Sequence, residues 1–296
     1  MANVYFTREI TPESVVRLYQ KLGITLMGKV AVKVHSGEKG NQNFLRPAFW
    51  KPMVEQVQGT IVECNTAYGD AFGGVRDHTD PHRRLLKEHG WSELFDVDLM
   101  DAEGPDVIWP VENGKILKEN HLGKHSEQYD SMLVLAHFKG HPMGGYGGAL
   151  KQLSIGCASA AGKALIHSAG KSDDSIEAWN VHADRNAFPE AMADAASTVV
   201  RHFAGRIAFI NVMKNLSVDC DCCTVAEDPC MEDIGVLASL DPVALDQACI
   251  DLIYQSNDSG RDHFVERVES RNGIHTIEAA DALGFGSRAY TLIEVE

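Results

Sequence analysis

Residues Ser131 to Phe138 read SMLVLAHF, and no other segment constrains the fold so strongly. A strand with one face in water alternates polar and apolar residues, whereas a continuous apolar run fits a strand covered on both faces. Around this run, helical and strand patterns alternate. Thr11-Pro12-Glu13 reads as N-cap, first-turn proline and first-turn acid, with Gly23 as the stop. Lys29 to His35 (KVAVKVH) alternates as a half-buried strand does, and Ile61 to Cys64 is strand-like. Asp80-Pro81 opens a helix that ends near Gly90. Pro189 to Ala204 reads as a helix, and Arg206 to Val212 and Ile234 to Ala238 read as strands. Asp241-Pro242 begins a helix with Leu245, Ala248, Cys249, Leu252 and Ile253 on one face, which makes Cys249 a core residue. The closing EAADALGFGSRAYTLIEV repeats the helix, glycine, strand order of RRLLKEHGWSELFDVDLM. This alternation predicts an α/β fold with a mostly parallel central sheet and helices on both faces. One domain over residues 1–296 is expected, with two closely packed lobes as the variant.

Charge narrows the partners. The chain carries 42 acidic against 27 basic residues, a formal net charge of −15, and has no Lys/Arg-rich run, so neither nucleic acid nor an anionic membrane is an expected partner. The start, MANVYFTREI, lacks a basic segment followed by an apolar one, and no run reaches the ~18 apolar residues of a membrane span. A cytoplasmic protein is expected. Seven cysteines, three of them within Cys220-Asp221-Cys222-Cys223, favour thiol, metal or redox chemistry over a disulfide framework.

Polar chemistry gathers in three places. The first is HFKGHPMGGYGGALKQLSIGCAS, where the apolar strand delivers His137, Lys139 and His141 to the carboxyl edge of the sheet, the edge at which open α/β sheets bind ligands. Gly144, Gly145, Gly147 and Gly148 follow, and the last two lead into a helix whose free N–H groups would hold an anion beside Lys151. The spacing matches neither the dinucleotide fingerprint nor the Walker loop. The second is VDCDCCTVAEDPC, whose thiols would hold a soft metal, although C-x-C-C-x6-C departs from both zinc and ferredoxin spacing. The third is VECNTAYGDAFGGVRDHTDPH, where Cys64, Asn65, Tyr68, Arg76, Asp77 and His78 would bind or orient a polar substrate. His202 and His263 read as exposed helix residues.

These segments carry a resemblance. ECNTAYG with HTDPHRRLLKEHG, then AHFKGHPMGGYGGALKQLSIGCASAAGK, then DCDCC with DIGVLASLDPVALDQACIDLI, resemble the domain of unknown function 362 family, uncharacterised iron-sulfur centre proteins, over nearly the whole chain. Many members carry an inserted ferredoxin-like segment with C-x2-C-x2-C-x3-C-P runs. Here the corresponding interval, His167 to Asp219, contains no cysteine, so any cluster must draw on Cys220, Cys222, Cys223, Cys230 or Cys157. GGYGGALK, with His141 before it and His167 after it, is also similar to the GxSGGxK segment of nickel-pincer lactate racemases, which have one residue fewer there. That likeness implies that Lys151 anchors a cofactor, and that His141 and His167 are a metal ligand and a proton-transfer group.

The expected function is a metal- or iron-sulfur-dependent protein acting on a small anionic molecule, in redox chemistry. Cysteine thiolates hold the metal, and His141 and Lys151 face the substrate. The rival is a non-enzymatic metal or electron carrier, and a further alternative is a nickel-pincer-type racemase or epimerase of a small hydroxy acid. The partner is a small molecule; a redox partner protein and a homo-oligomer are both compatible with the sequence.

Overall fold

The computed structural model describes residues 1–69, 73–181 and 183–296. The first half of the chain runs β1 (Ala2–Thr7), α1 (Pro12–Lys21), β2 (Val30–Lys33), α2 (Pro47–Val57), β3 (Thr60–Glu63), α3 (Thr79–Glu88), α4 (Trp91–Leu94), β4 (Val97–Leu99), β5 (Val107–Pro110), β6 (Glu119–Leu122) and β7 (Ser131–His137). A hairpin of β8 (Lys139–His141) and β9 (Gly145–Gly147) leads into α5 (Ala149–Lys151), a π-helical turn over Gln152–Gly156, and α6 (Ala160–His167). Then come α7 (Ala187–His202), β10 (Ile207–Met213), β11 (Gly235–Ser239), α8 (Pro242–Gln255), α9 (Arg261–Ser270), α10 (Ile274–Ala282) and β12 (Tyr290–Glu294).

Eight strands form one sheet in the order β12-β1-β11-β10-β7-β2-β3-β4. Only β11 runs antiparallel to its neighbours; the other pairings are parallel. The apolar run is β7, near the middle of the sheet and buried at every position. Its Met132 and Val134 join one apolar cluster and its Leu133 and Leu135 the other. On the first face lie α7 and α8, through residues such as Ala193, Ala196, Val199, Leu245 and Ala248. On the second face lie α1 and α2, through Val15, Leu18, Trp50 and Met53. The structure is thus the α/β sheet with helices on both faces that the sequence predicts.

Local signals act where they are read. Thr11 Oγ1 accepts from Ser14 N at 3.1 Å to cap α1, and Asp241 Oδ1 accepts from Val243 N and Ala244 N at 2.9 and 3.0 Å to cap α8. The two helix–glycine–strand repeats end in β4 and β12, the two edges of the sheet. The reading of KVAVKVH needs correction: β2 is buried on both faces, and Lys33 is 1% exposed, because its ammonium meets a carboxylate inside the protein. Among the described residues no helix is long and apolar enough to cross a membrane.

Candidate functional site

Four adjacent parallel strands, β10, β7, β2 and β3, end at the same edge of the sheet, and their C-terminal residues and following loops build the site. Strand β2 ends in Lys33, with His35 two residues on, and β3 ends in Glu63. Lys33 Nζ lies 2.6 Å from Glu63 Oε2, and the Val34 carbonyl accepts from the same ammonium. Arg76 returns from the loop after β3, with Nε 3.0 Å from Glu38 Oε2 and Nη1 3.8 Å from Glu63 Oε1. Burial alone would raise the Glu63 carboxyl, but Lys33 and Arg76 overcome it and lower its pKa to about 2.

The cysteine loop after β10 is held from below by β7 and β8. Asp221 is fully enclosed; both its oxygens lie 3.0 Å from His137 Nδ1, and Lys139 Nζ lies 2.8 Å from Oδ2. Burial opposes this carboxylate, yet His137 and Lys139 hold it well below the usual range. His137 Nε2 meets the Lys214 carbonyl at 2.5 Å, so neither ring nitrogen is left for a ligand. His137 and Lys139, expected to touch substrate, instead fasten the loop that presents the cysteines.

Above that base, the ligand atoms of His141, Cys220 and Cys222 lie within 4.8 Å of one another. Cys222 Sγ is 3.9 Å from His141 Nε2, and Lys151 Nζ is 3.8 Å from Cys220 Sγ. Burial pushes the Cys220 thiol well above its ordinary pKa. For Cys222, a hydrogen bond with Cys220 favours the thiolate, but one with Cys223 and burial outweigh it, and the pKa is raised to about 11. Burial opposes the charge on Lys151 too, but the two sulfurs and Asp221 outweigh it and raise its pKa. Cys223 lies alongside, its pKa lowered chiefly by its hydrogen bond with Cys222.

A cavity of about 430 Å³ opens beside this group. His141, Lys151, His167, Tyr68, Arg76 and the pair Cys222-Cys223 line it. His167 stacks on Phe188 at 4.9 Å and lies 4.8 Å from the Trp179 ring. Burial, with Lys151 and Lys163, lowers its pKa to about 3, so the ring is neutral. Tyr68 donates to the Cys222 carbonyl at 3.0 Å, tying the third sequence segment to the cysteine loop.

Other predicted residues stand elsewhere. Asn65 is engaged with Thr79, His82 and Asp101 away from the cavity lining. Asp77 and His78 pair with each other at 3.1 Å, and the His78 side chain is exposed. Residues 70–72 of that loop lie outside the described residues. Cys157 sits under Cys64, whose Sγ is 3.5 Å from the Cys157 carbonyl, and Cys230 Sγ contacts the Leu216 carbonyl at 3.3 Å. Neither belongs to the His141, Cys220, Cys222 group. Cys249 is buried in the core under Asn211. His202 stacks on Trp109 at 4.0 Å, and His263 pairs with Glu227 at 2.9 Å.

The glycine segment departs most from the reading of an anion cradle. The N–H groups of Ala149 and Leu150 are taken by the protein's own Asp246, at 2.8 and 3.0 Å. A Cβ on Gly148 would stand 2.5 Å from Asp246 Oδ1. Gly145 has φ +79, and a Cβ there would stand 2.9 Å from the Gly273 Cα; Gly144 packs beside Met192, and Gly147 leaves room for the stem of Lys151. These glycines serve close packing, which brings Lys151 to the cavity wall.

Sequence reasoning missed Lys33, His35, Glu63, Gln152 and Lys163, all of which line the cavity. One signal was available for the first: a lysine within an otherwise apolar strand, whose burial demands a carboxylate partner.

Fold and site together define an α/β protein with a ligand-sized cavity, and a thiol–imidazole cluster beside it, at the carboxyl edge of a parallel sheet. The chain belongs to the family described as Domain of unknown function (DUF362), whose model matches residues 30–251. No curated protein matches the sequence. Among solved structures, the lactate racemase apoprotein from Thermoanaerobacterium thermosaccharolyticum is 12% identical, with a TM-score of 0.44 over 70% of this chain and 50% of that one. A structural-genomics protein from Thermotoga maritima is 11% identical, with a TM-score of 0.43 over 92% of this chain and 58% of that one. The chain therefore spans half the length of the first and 58% of the second.

Proposed function

We propose that the protein is a metal-dependent enzyme that carries out proton-coupled redox chemistry on a small anionic molecule bound in this cavity. The observation that carries the reading is the meeting of Cys220, Cys222 and His141 within 4.8 Å, beside a cavity that Lys151 also lines. Paired thiolates select soft or borderline metals. Buried thiols as costly to ionise as these need a nearby positive charge, which a bound metal supplies together with Lewis-acid or electron-transfer chemistry.

The three residues divide the work. Met143 N and Gly144 N both donate to His141 Nδ1, at 3.2 and 2.8 Å, so a neutral ring carries its proton on Nε2, the nitrogen facing Cys222. A histidine that binds metal usually donates its other ring nitrogen outward. This donor set therefore fits Cys220 and Cys222 as ligands and His141 as a hydrogen-bond donor at Nε2 toward the Cys222 sulfur. Lys151 offsets thiolate charge and draws the anionic end of a substrate to the same wall. A four-thiolate cluster is disfavoured, since Cys157 and Cys230 stand apart. A cavity of about 430 Å³ lies within the size range of small-molecule sites and favours an enzyme over a sealed carrier.

Metal analysis of anaerobically purified protein tests the reading. Cys220→Ser with Cys222→Ser should remove most bound metal, because a hydroxyl replaces a thiolate poorly. Unchanged metal content in that variant refutes it. One observation favours a second reading: His141, Lys151 and His167 line one cavity, as a racemase or epimerase with two proton-transfer groups requires. Incorporation of solvent deuterium into a hydroxy acid without net oxidation would decide for it.

A further inference from the structure

Among the described residues, four Lys and Arg side chains reach the cavity wall, and they are not equivalent. Lys33 and Arg76 are neutralised by Glu63 and Glu38 at 2.6 and 3.0 Å. Among the described residues, neither Lys151 nor Lys163 has a carboxylate in ion-pair contact. Lys151 Nζ lies 3.8 Å from Cys220 Sγ, and Lys163, 6% exposed, donates to the Ala158 carbonyl at 2.5 Å. Burying an ammonium without a counter-charge is costly, and proteins retain it where an anion completes the site.

Two further observations place a ligand between them. Lys163 and His167 lie one turn apart on α6, both facing the cavity, and His167 feels both ammonium groups. Gln152, also 6% exposed and on the cavity wall, has an amide Nε2 with no acceptor among the described residues. We propose that the cavity takes a small dianion, one anionic group held by Lys151 beside the cysteine loop and the other by Lys163 with the Gln152 amide. The class is a short dicarboxylate or a phosphorylated carboxylic acid. Burial holds Lys163 below the ordinary lysine range, a penalty that a bound anion relieves. This inference rests on the reading of the cavity as the substrate site.

Calorimetric titration of propionate, succinate and phosphoglycolate into the full chain, with and without metal, tests it. Succinate or phosphoglycolate should bind at least about ten-fold more tightly than propionate, and Lys163→Met should abolish that preference. The stronger of the two dianions separates a carboxylate from a phosphate at the second position. Lys163→Gln, with circular dichroism on both variants, guards against a folding defect, and the wild-type comparison needs no variant at all. Equal affinity for propionate and both dianions, or a dianion preference that survives in Lys163→Met, overturns the proposal. Because the titration is also run without metal, failure here is distinct from failure of the cysteine variants to lose metal.

Discussion

Gly148→Ala should cost about 2–4 kcal/mol of stability, although nothing in the backbone forbids alanine there. Gly148 has φ −139 and ψ −149, outside the positive-φ region that favours glycine, so the cost of alanine comes from what its methyl would meet. The new methyl would stand 2.5 Å from Asp246 Oδ1, 2.9 Å from Cγ and 3.0 Å from Oδ2. The carboxylate has nowhere to go. Oδ1 accepts from Ala149 N and Asn211 Nδ2 at 2.8 and 2.7 Å, and Oδ2 from Leu150 N and Tyr146 Oη at 3.0 and 3.2 Å. A displacement that relieves the contact breaks or stretches about two of these bonds, and each buried donor left unpaired costs ~1–3 kcal/mol. Urea unfolding with an unchanged slope would read the loss. In an Asp246→Ala background the same glycine change should become nearly free, giving a coupling of about 2–4 kcal/mol in a double-mutant cycle. A loss under about 1 kcal/mol, or additivity of the two changes, would refute the argument that Gly148 is bare to admit Asp246.

Two further outcomes follow from buried carboxylates whose pKa values shift in opposite directions. Burial raises the Asp246 pKa to about 6 from 3.8, despite its hydrogen bonds. Its contribution to stability is therefore full below about 3.8 and is lost as pH rises through about 6. The stability of wild type relative to Asp246→Asn should fall by ~2 kcal/mol between pH 4 and pH 7, and a flat or rising difference in denaturation midpoints would contradict this. Glu63 behaves in the other direction, with a pKa lowered to about 2 from 4.5, so its contribution is present above about 4.5 and lost as pH falls through about 2. Glu63→Gln leaves Lys33 without its carboxylate and should cost ~3–5 kcal/mol at neutral pH; a loss below about 1 kcal/mol would show that the pair is dispensable.

What the sequence determines by itself is what depends on neighbours within a few residues. The caps at Thr11 and Asp241 are hydrogen bonds closed over three residues or fewer, so their residue types announce them. The apolar run of β7 announces a two-sided core because water would otherwise touch one face of it. The order of helices and strands then leaves a mostly parallel sheet as the economical arrangement, and the ends of its strands as the place to look for a ligand.

Tertiary structure alone decides which polar groups meet. Asp246 reaches Ala149 from 97 residues away, and that contact turns an apparent anion site into an internal cap. Asp221 draws His137 and Lys139 out of the cavity from 84 and 82 residues away, while β2 and α6 bring Lys33 and Lys163 into it. Lys163 does not look unusual in the sequence, because a lysine's character depends on whether a carboxylate, a sulfur or nothing stands beside it once water is gone. The cysteines divide for the same reason. Cys220 and Cys222 share a short loop that one aspartate pins down, whereas Cys157 and Cys230 ride on separate segments whose packing carries them elsewhere. Local periodicity reflects the demand to bury apolar surface, whereas a site is an arrangement of charges across the fold, which only the packed chain specifies.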